Sequence, residues 1–170
     1  RSTQAKTLFP YTTLFRSRYA QAVLHRYGLE SYGAEGPRIR SATISGDTVT
    51  VTVVHDGGSA LKELDGSTDG GSVTGFQVSN DNFATTLTIS STAFSGNTIV
   101  LTLSTTPTGN VKLRYQYGET PVVTNPVYDN TSPAGDTLGL PLQPKVAIPV
   151  ALAGAGGGAS HINTGIGVGV

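Results

Sequence analysis

The chain has 170 residues, enough for one domain of roughly 100–150 residues with tails. Eleven Lys and Arg balance eleven Asp and Glu, only 13% of residues are charged, and no basic stripe of a nucleic-acid binder is visible. No apolar run approaches the ~20 residues of a membrane-spanning helix, and the lack of cysteine excludes a disulfide framework and a thiolate metal site while leaving the compartment open.

The 22 glycines and 9 prolines, with abundant Thr, Ser and Val, fit a β protein with tight turns. Methionine is absent, position 1 included, as expected of a processed start or of a fragment. Arg1–Ser17 lacks the basic start, apolar run and small-residue cleavage site of a signal peptide. Thr7-Leu8-Phe9-Pro10-Tyr11-Thr12-Thr13-Leu14-Phe15-Arg16-Ser17 instead resembles the in-frame translation of a sequencing-library adapter. Residues 1–17 are therefore set aside from fold reasoning, a short native extended segment being the alternative. On the adapter reading the native frame begins near Arg18.

Arg18 to Tyr27 has the pattern of a helix end. Tyr19, Val23 and Tyr27, and likewise Ala20 and Leu24, recur at the i, i+4 spacing of one helical face. His25 and Arg26 place positive charge in the last turn, and Gly28 suits the left-handed position that closes a helix. So short a helix is marginal alone and implies a packing partner. Residues 18–34 are read as this helix end plus a linker.

At Gly36-Pro37 the period changes from 3.6 to 2, which opens a sandwich over residues 35–122. Arg38–Ile44, the turn Ser45-Gly46-Asp47 and Thr48–His55 predict a hairpin, with Val49, Val51 and Val53 on one face and Thr48, Thr50 and Thr52 on the other. The Gly/Asp/Ser-rich stretch from Asp56 to Ser72 is a loop that Leu61 and Leu64 tack onto the body. Further strands are predicted at Val73–Ser79, Thr85–Ser90, Asn97–Leu103 and Val111–Tyr117. Six short strands without helical pattern between them argue for an all-β fold, an antiparallel β-sandwich of immunoglobulin-like or jelly-roll-like kind with a short N-terminal helix and irregular tails. The expected core draws on Ile44, Phe76, Val78, Leu87, Ile89 and Ile99, then on Leu101, Leu103, Val111, Leu113, Tyr115 and Tyr117, besides the three hairpin valines. Residues 123–145 form a Pro-punctuated extended segment that packs on the sandwich or on a missing domain. Residues 146–170, rich in Gly and Ala, are a flexible tail or a strand donor, since polyglycine costs much entropy to order.

Several blocks carry a resemblance. They are Arg18-Tyr19-Ala20-Gln21-Ala22-Val23-Leu24, Gly36-Pro37-Arg38-Ile39, and the run from Val49 to Gly58. Val111-Lys112-Leu113-Arg114-Tyr115-Gln116-Tyr117-Gly118-Glu119 follows, then Asn125-Pro126-Val127-Tyr128-Asp129-Asn130 and Leu140-Pro141-Leu142-Gln143-Pro144. In this order, over residues 18–144, they resemble the C-terminal portion of SGNH hydrolases, notably the sialate O-acetylesterase-like carbohydrate esterases. The resemblance implies a parent serine ester hydrolase acting on acetylated carbohydrate, extracellular or periplasmic. Its nucleophilic Ser and its Asp-x-x-His base lie in the hydrolase domain. Neither the Gly-Asp-Ser block nor that pair occurs here; the pair would be expected upstream of Tyr19.

The residues themselves assign no catalytic, cofactor or metal site. His25 has Ala22, not Asp, three residues before it, and fits a surface or capping role. His55-Asp56 ends a strand and fits a hydrogen-bonded turn; His161 is isolated in the Gly-rich tail. Asn80-Asp81-Asn82 and the carboxylates Asp56, Asp65 and Asp69 offer oxygen ligands of the calcium type, yet their spacing favours turns. Tyr115 and Tyr117, two apart on one predicted strand, with Phe76, are candidate glycan contacts, the alternative being core. The sequence thus predicts a non-catalytic accessory module whose partner is the missing upstream hydrolase domain, with carbohydrate a possible ligand. The alternative is an independent glycan-binding or viral or cell-surface assembly module.

Overall fold

A computed structural model describes residue 23 and residues 26–28, 35–117, 124–130 and 139–154. The adapter-like segment lies outside these residues. So does most of the predicted helix, of which Tyr27 N–H donates to Val23 O at 3.2 Å and Gly28 takes a φ of 68°.

Ten strands form: β1 (Arg38–Ser45), β2 (Thr48–Val54), β3 (Leu61–Lys62), β4 (Phe76–Ser79), β5 (Ile89–Ser95), β6 (Thr98–Leu103), β7 (Lys112–Tyr115), β8 (Tyr128–Asp129), β9 (Lys145–Pro149) and β10 (Ala151–Leu152). The larger sheet has the order β10-β1-β2-β6-β5, a second has β4-β7-β9, and β3 and β8 make a small ribbon. Valine and threonine alternate along β2 because branched side chains suit a pleated, half-buried surface. Val49 and Val51 face Leu101 and Ile99 of β6 across the ladder, and all four are fully buried. From the second sheet Val78, Leu113 and Tyr115 meet them in one cluster. At about 1.5–3 kcal/mol for each large apolar side chain withdrawn from water, this cluster is the main source of stability.

Two hairpins, β1–β2 and β5–β6, close through two-residue loops that begin with Gly46 (φ 61°) and Gly96 (φ 57°). This is the glycine-first pattern of type II′ loops, whose twist matches that of the strands they join.

The structure alters the sequence reading in several places. The register of β1 shifts between Ile39 and Ser41, so Ile39, Ala42 and Ile44 are all buried although a strict period of two would separate Ile39 from the other two. The strand expected at Thr85–Ser90 runs instead from Ile89 to Ser95, and Leu87 keeps a lone bridge to Val78. Pairing from the Gly96 loop fixes this strand, and its mostly exposed edge position leaves no clear alternation in the sequence. Leu64 is 44% exposed, whereas Glu63 beside it is buried. Tyr117, expected in the core, is 49% exposed.

The ladders are antiparallel with one exception. Residues 145–152 cross from one sheet to the other, β9 antiparallel to β7 and β10 parallel to β1, with Val150 buried at the crossing. The segment read as tail or strand donor thus begins by supplying strands to both sheets. Before it, Val127, Leu140 and Leu142 are buried against the body of the sandwich.

Candidate functional site

The three aromatic residues singled out in the sequence separate in space. Phe76 and Tyr115 are cross-strand partners on β4 and β7, their ring centroids 4.5 Å apart in the core. The Tyr115 hydroxyl accepts hydrogen bonds from Val127 N–H at 3.0 Å and Gln116 Nε2 at 2.8 Å. Burial pushes its pKa up to about 12. Tyr115 is therefore a core residue that ties the chain near Val127 to β7. Gln116 follows with φ 46°, a left-handed conformation uncommon outside glycine, held by its N–H on Gly75 O at 2.9 Å. The alternation stops there, and Tyr117 comes out onto the surface.

Tyr117 lines a cleft of about 440 Å³ between the two sheets. One wall is the loop Gly71–Gly75 with the start of β4; the other is Thr86–Leu87 and the start of β5. Phe76, Leu87 and Ile89 give it an apolar floor, with Ser72, Thr86 and Ser91 near its mouth, and no charged side chain lines it among the described residues. Both walls are anchored. Thr74 Oγ1 accepts from Asn125 N–H at 2.9 Å and Thr74 N–H donates to Asn125 O at 2.9 Å. Opposite, Leu87 N–H donates to Val78 O at 2.8 Å, and the Thr92 hydroxyl donates to Gly70 O.

Behind Ser72 sits a polar hub with no signal in the sequence. Glu63, 2% exposed, accepts from Ser72 N–H at 3.0 Å and from Asn125 Nδ2, while Asn125 Oδ1 accepts from Leu64 N–H at 3.1 Å. The hub joins residues 62 positions apart, which local pattern does not reveal.

The histidine and carboxylate candidates are dispersed. The His55 side chain is 5% exposed, and its Nδ1 lies 3.8 Å from Oδ2 of the fully buried Asp129, which also accepts Leu140 N–H at 2.9 Å. Neither imidazole nitrogen makes a hydrogen bond among the described residues, so no hydroxyl is set against this histidine as a nucleophile would be against its base. His25 and His161 lie outside the described residues. Asp65 and Asp69 each close a local turn, accepting Ser67 N–H at 2.8 Å and Gly71 N–H at 2.9 Å. Asp56 accepts Glu35 N–H at 3.2 Å. Asp81 accepts the Thr85 hydroxyl at 2.6 Å, Thr85 N–H and the Ser79 hydroxyl, which together hold its carboxyl down at about 2. Local turns therefore account for Asp65, Asp69 and Asp81, a contact 21 positions away engages Asp56, and no group of three metal-ligating side chains gathers among the described residues.

A solved structure shares this arrangement. It is a carbohydrate acetylesterase from Xanthomonas citri, matched with a TM-score of 0.56 and 21% identity over 78% of this chain. At that identity the likeness establishes the fold. The chain spans 26% of the length of that enzyme. No protein-family model matches the chain, and no curated protein does.

Proposed function

We propose that the chain is the non-catalytic β-sandwich module of a carbohydrate esterase, carried beside a serine hydrolase domain of the SGNH kind that the sequence resembles. The observation behind this reading is the match of most of the chain to about a quarter of a carbohydrate acetylesterase. The sequence blocks over residues 18–144 support it independently, because they resemble the C-terminal portion of such enzymes.

The junction at Gly36-Pro37 supports a fixed mounting. Gln143 N–H donates to Pro37 O at 2.9 Å, and its side-chain amide donates to Gly36 O at 3.3 Å. A Cβ on Gly36 would meet Pro141 O at 2.0 Å, so only glycine allows this approach. Gly36 and Pro37 are thereby fixed to the body of the sandwich, which gives a module bracing a neighbouring domain a firm point of attachment. Tyr27, 73% exposed, is a natural contact for that neighbour.

The test is to recover the reading frame upstream of Arg18, express the joined protein, and compare acetate release from acetylated oligosaccharides with and without residues 35–154. We expect the joined protein to turn over, deletion to lower its activity, and residues 18–170 alone to be inert. An upstream frame without a hydrolase, or turnover by the isolated chain that His55→Ala abolishes, would overturn the reading.

A further inference from the structure

We infer that the cleft beside Tyr117 binds a neutral oligosaccharide, with the Tyr117 ring as stacking surface and the surrounding hydroxyls as hydrogen-bonding partners. The inference rests on the cleft itself and stands whether or not a hydrolase domain accompanies the module.

The first observation is the backbone at Gln116. A non-glycine residue held at φ 46° carries a conformational cost, and such cost persists where the surroundings fix it for a purpose. Two hydrogen bonds fix it here, from Gln116 N–H to Gly75 O and from its side chain to the Tyr115 hydroxyl. Their consequence is that Tyr115 faces the core while Tyr117, two residues on, stands 49% exposed at the cleft. A regular strand would have buried both.

The second observation is the chemistry of the walls. A sugar ring offers an apolar C–H face and a rim of hydroxyls that both donate and accept. The cleft offers the complement: the Tyr117 ring and the apolar floor at Phe76, Leu87 and Ile89 for the face, and hydroxyls for the rim. The hydroxyls of Thr86 and Ser91 make no hydrogen bond among the described residues and can serve a ligand; those of Thr74 and Thr92 are engaged in holding the walls.

Charge decides the class of sugar. Three charged residues touch the lining among the described residues, and none is a free cation: Glu63 is buried on Ser72 N–H and Asn125, the carboxylate of Asp69 accepts Gly71 N–H at 2.9 Å, and Arg114 bonds Gln77 Oε1 and stacks on Phe83 at 4.2 Å. With no cation aimed into the cleft, a uronate, sialate or phosphate would lose its hydration without gaining a partner. A neutral pyranose chain incurs no such cost. The volume of about 440 Å³ falls within the range of small-molecule sites, and anchored walls limit the ordering cost of binding.

The experiment is amide NMR titration of the full chain with cellohexaose, xylohexaose and mannohexaose, with hexagalacturonate and sialyllactose as charged probes. We expect at least one neutral probe to shift the amides of Gly71–Gly75, Thr86–Thr92 and Tyr117, and neither charged probe to do so. Tyr117→Ala should weaken that binding about tenfold or more, whereas Tyr117→Phe, which keeps the ring, should stay within about twofold. Because Tyr117 is exposed, both variants should keep the urea midpoint of the parent, which separates lost binding from lost fold. Silence from all three neutral probes, binding indifferent to Tyr117→Ala, or a preference for a charged probe would each overturn the inference.

Discussion

Replacing Tyr115 by Phe tests how the 124–130 segment is held to the sandwich. The ring fills the core against Phe76, and Phe keeps nearly all of that packing. What disappears is the oxygen that accepts Val127 N–H at 3.0 Å and Gln116 Nε2 at 2.8 Å. The glutamine amide can turn to water. Val127 is fully buried, so its N–H is left without a partner at a cost of about 1–3 kcal/mol. Urea titration followed by circular dichroism should show a lower midpoint at an unchanged slope, since the surface exposed on unfolding is the same. A second signature appears in alkali. The Tyr115 pKa lies near 12 in the fold against 10.0 in the unfolded chain, so above pH 10 the unfolded state ionises while the native phenol keeps its proton. Stability unaffected by this group below pH 10 is thus lost as pH rises toward about 12, and the loss approaches about 3 kcal/mol for a shift of this size. The Phe variant should lack that component. Equal urea midpoints for the two proteins at neutral pH, or an equally steep alkaline loss in the variant, would refute the reasoning.

Three further outcomes follow from the same geometry. Gly139→Ala would place a Cβ 1.7 Å from Asp129 O and should destabilise by about 1–3 kcal/mol through displaced backbone, read as a fall in thermal midpoint. Glu63→Ala leaves Ser72 N–H and Asn125 Nδ2 without their acceptor and should cost about 1–3 kcal/mol by urea titration, with amide exchange quickening at 71–75 and 124–126. The Asp81 pKa is lowered from 3.8 to about 2, so its contribution is complete above pH 3.8 and lost as pH falls through about 2. Hydrogen exchange at Ser79–Thr85 should accelerate over that interval in the parent, and in Asp81→Asn it should be fast and independent of pH across it once intrinsic rates are divided out.

Much of the fold was legible from local pattern. Period-two valines and threonines at 48–53 specify which face of a strand is dry, and the Gly46 and Gly96 turns specify which strands are neighbours. These features act within a few residues of one another, so the chain displays them directly. The cleft was only half legible. Phe76 and Tyr117 stood out as aromatics, but alternation alone put Tyr117 on the same face as Tyr115, because nothing nearby announces a left-handed Gln116.

What tertiary structure alone decided is how distant segments meet. The Glu63–Asn125 hub, the contact of Gly139 with Asp129, and the crossing of residues 145–152 between two sheets all join parts of the chain that carry no mutual sign in sequence. Periodicity records the face a side chain presents, whereas a cleft, a buried hub or an exposed tyrosine depends on which backbone lies opposite, and that is settled only when the sheets close on their shared core.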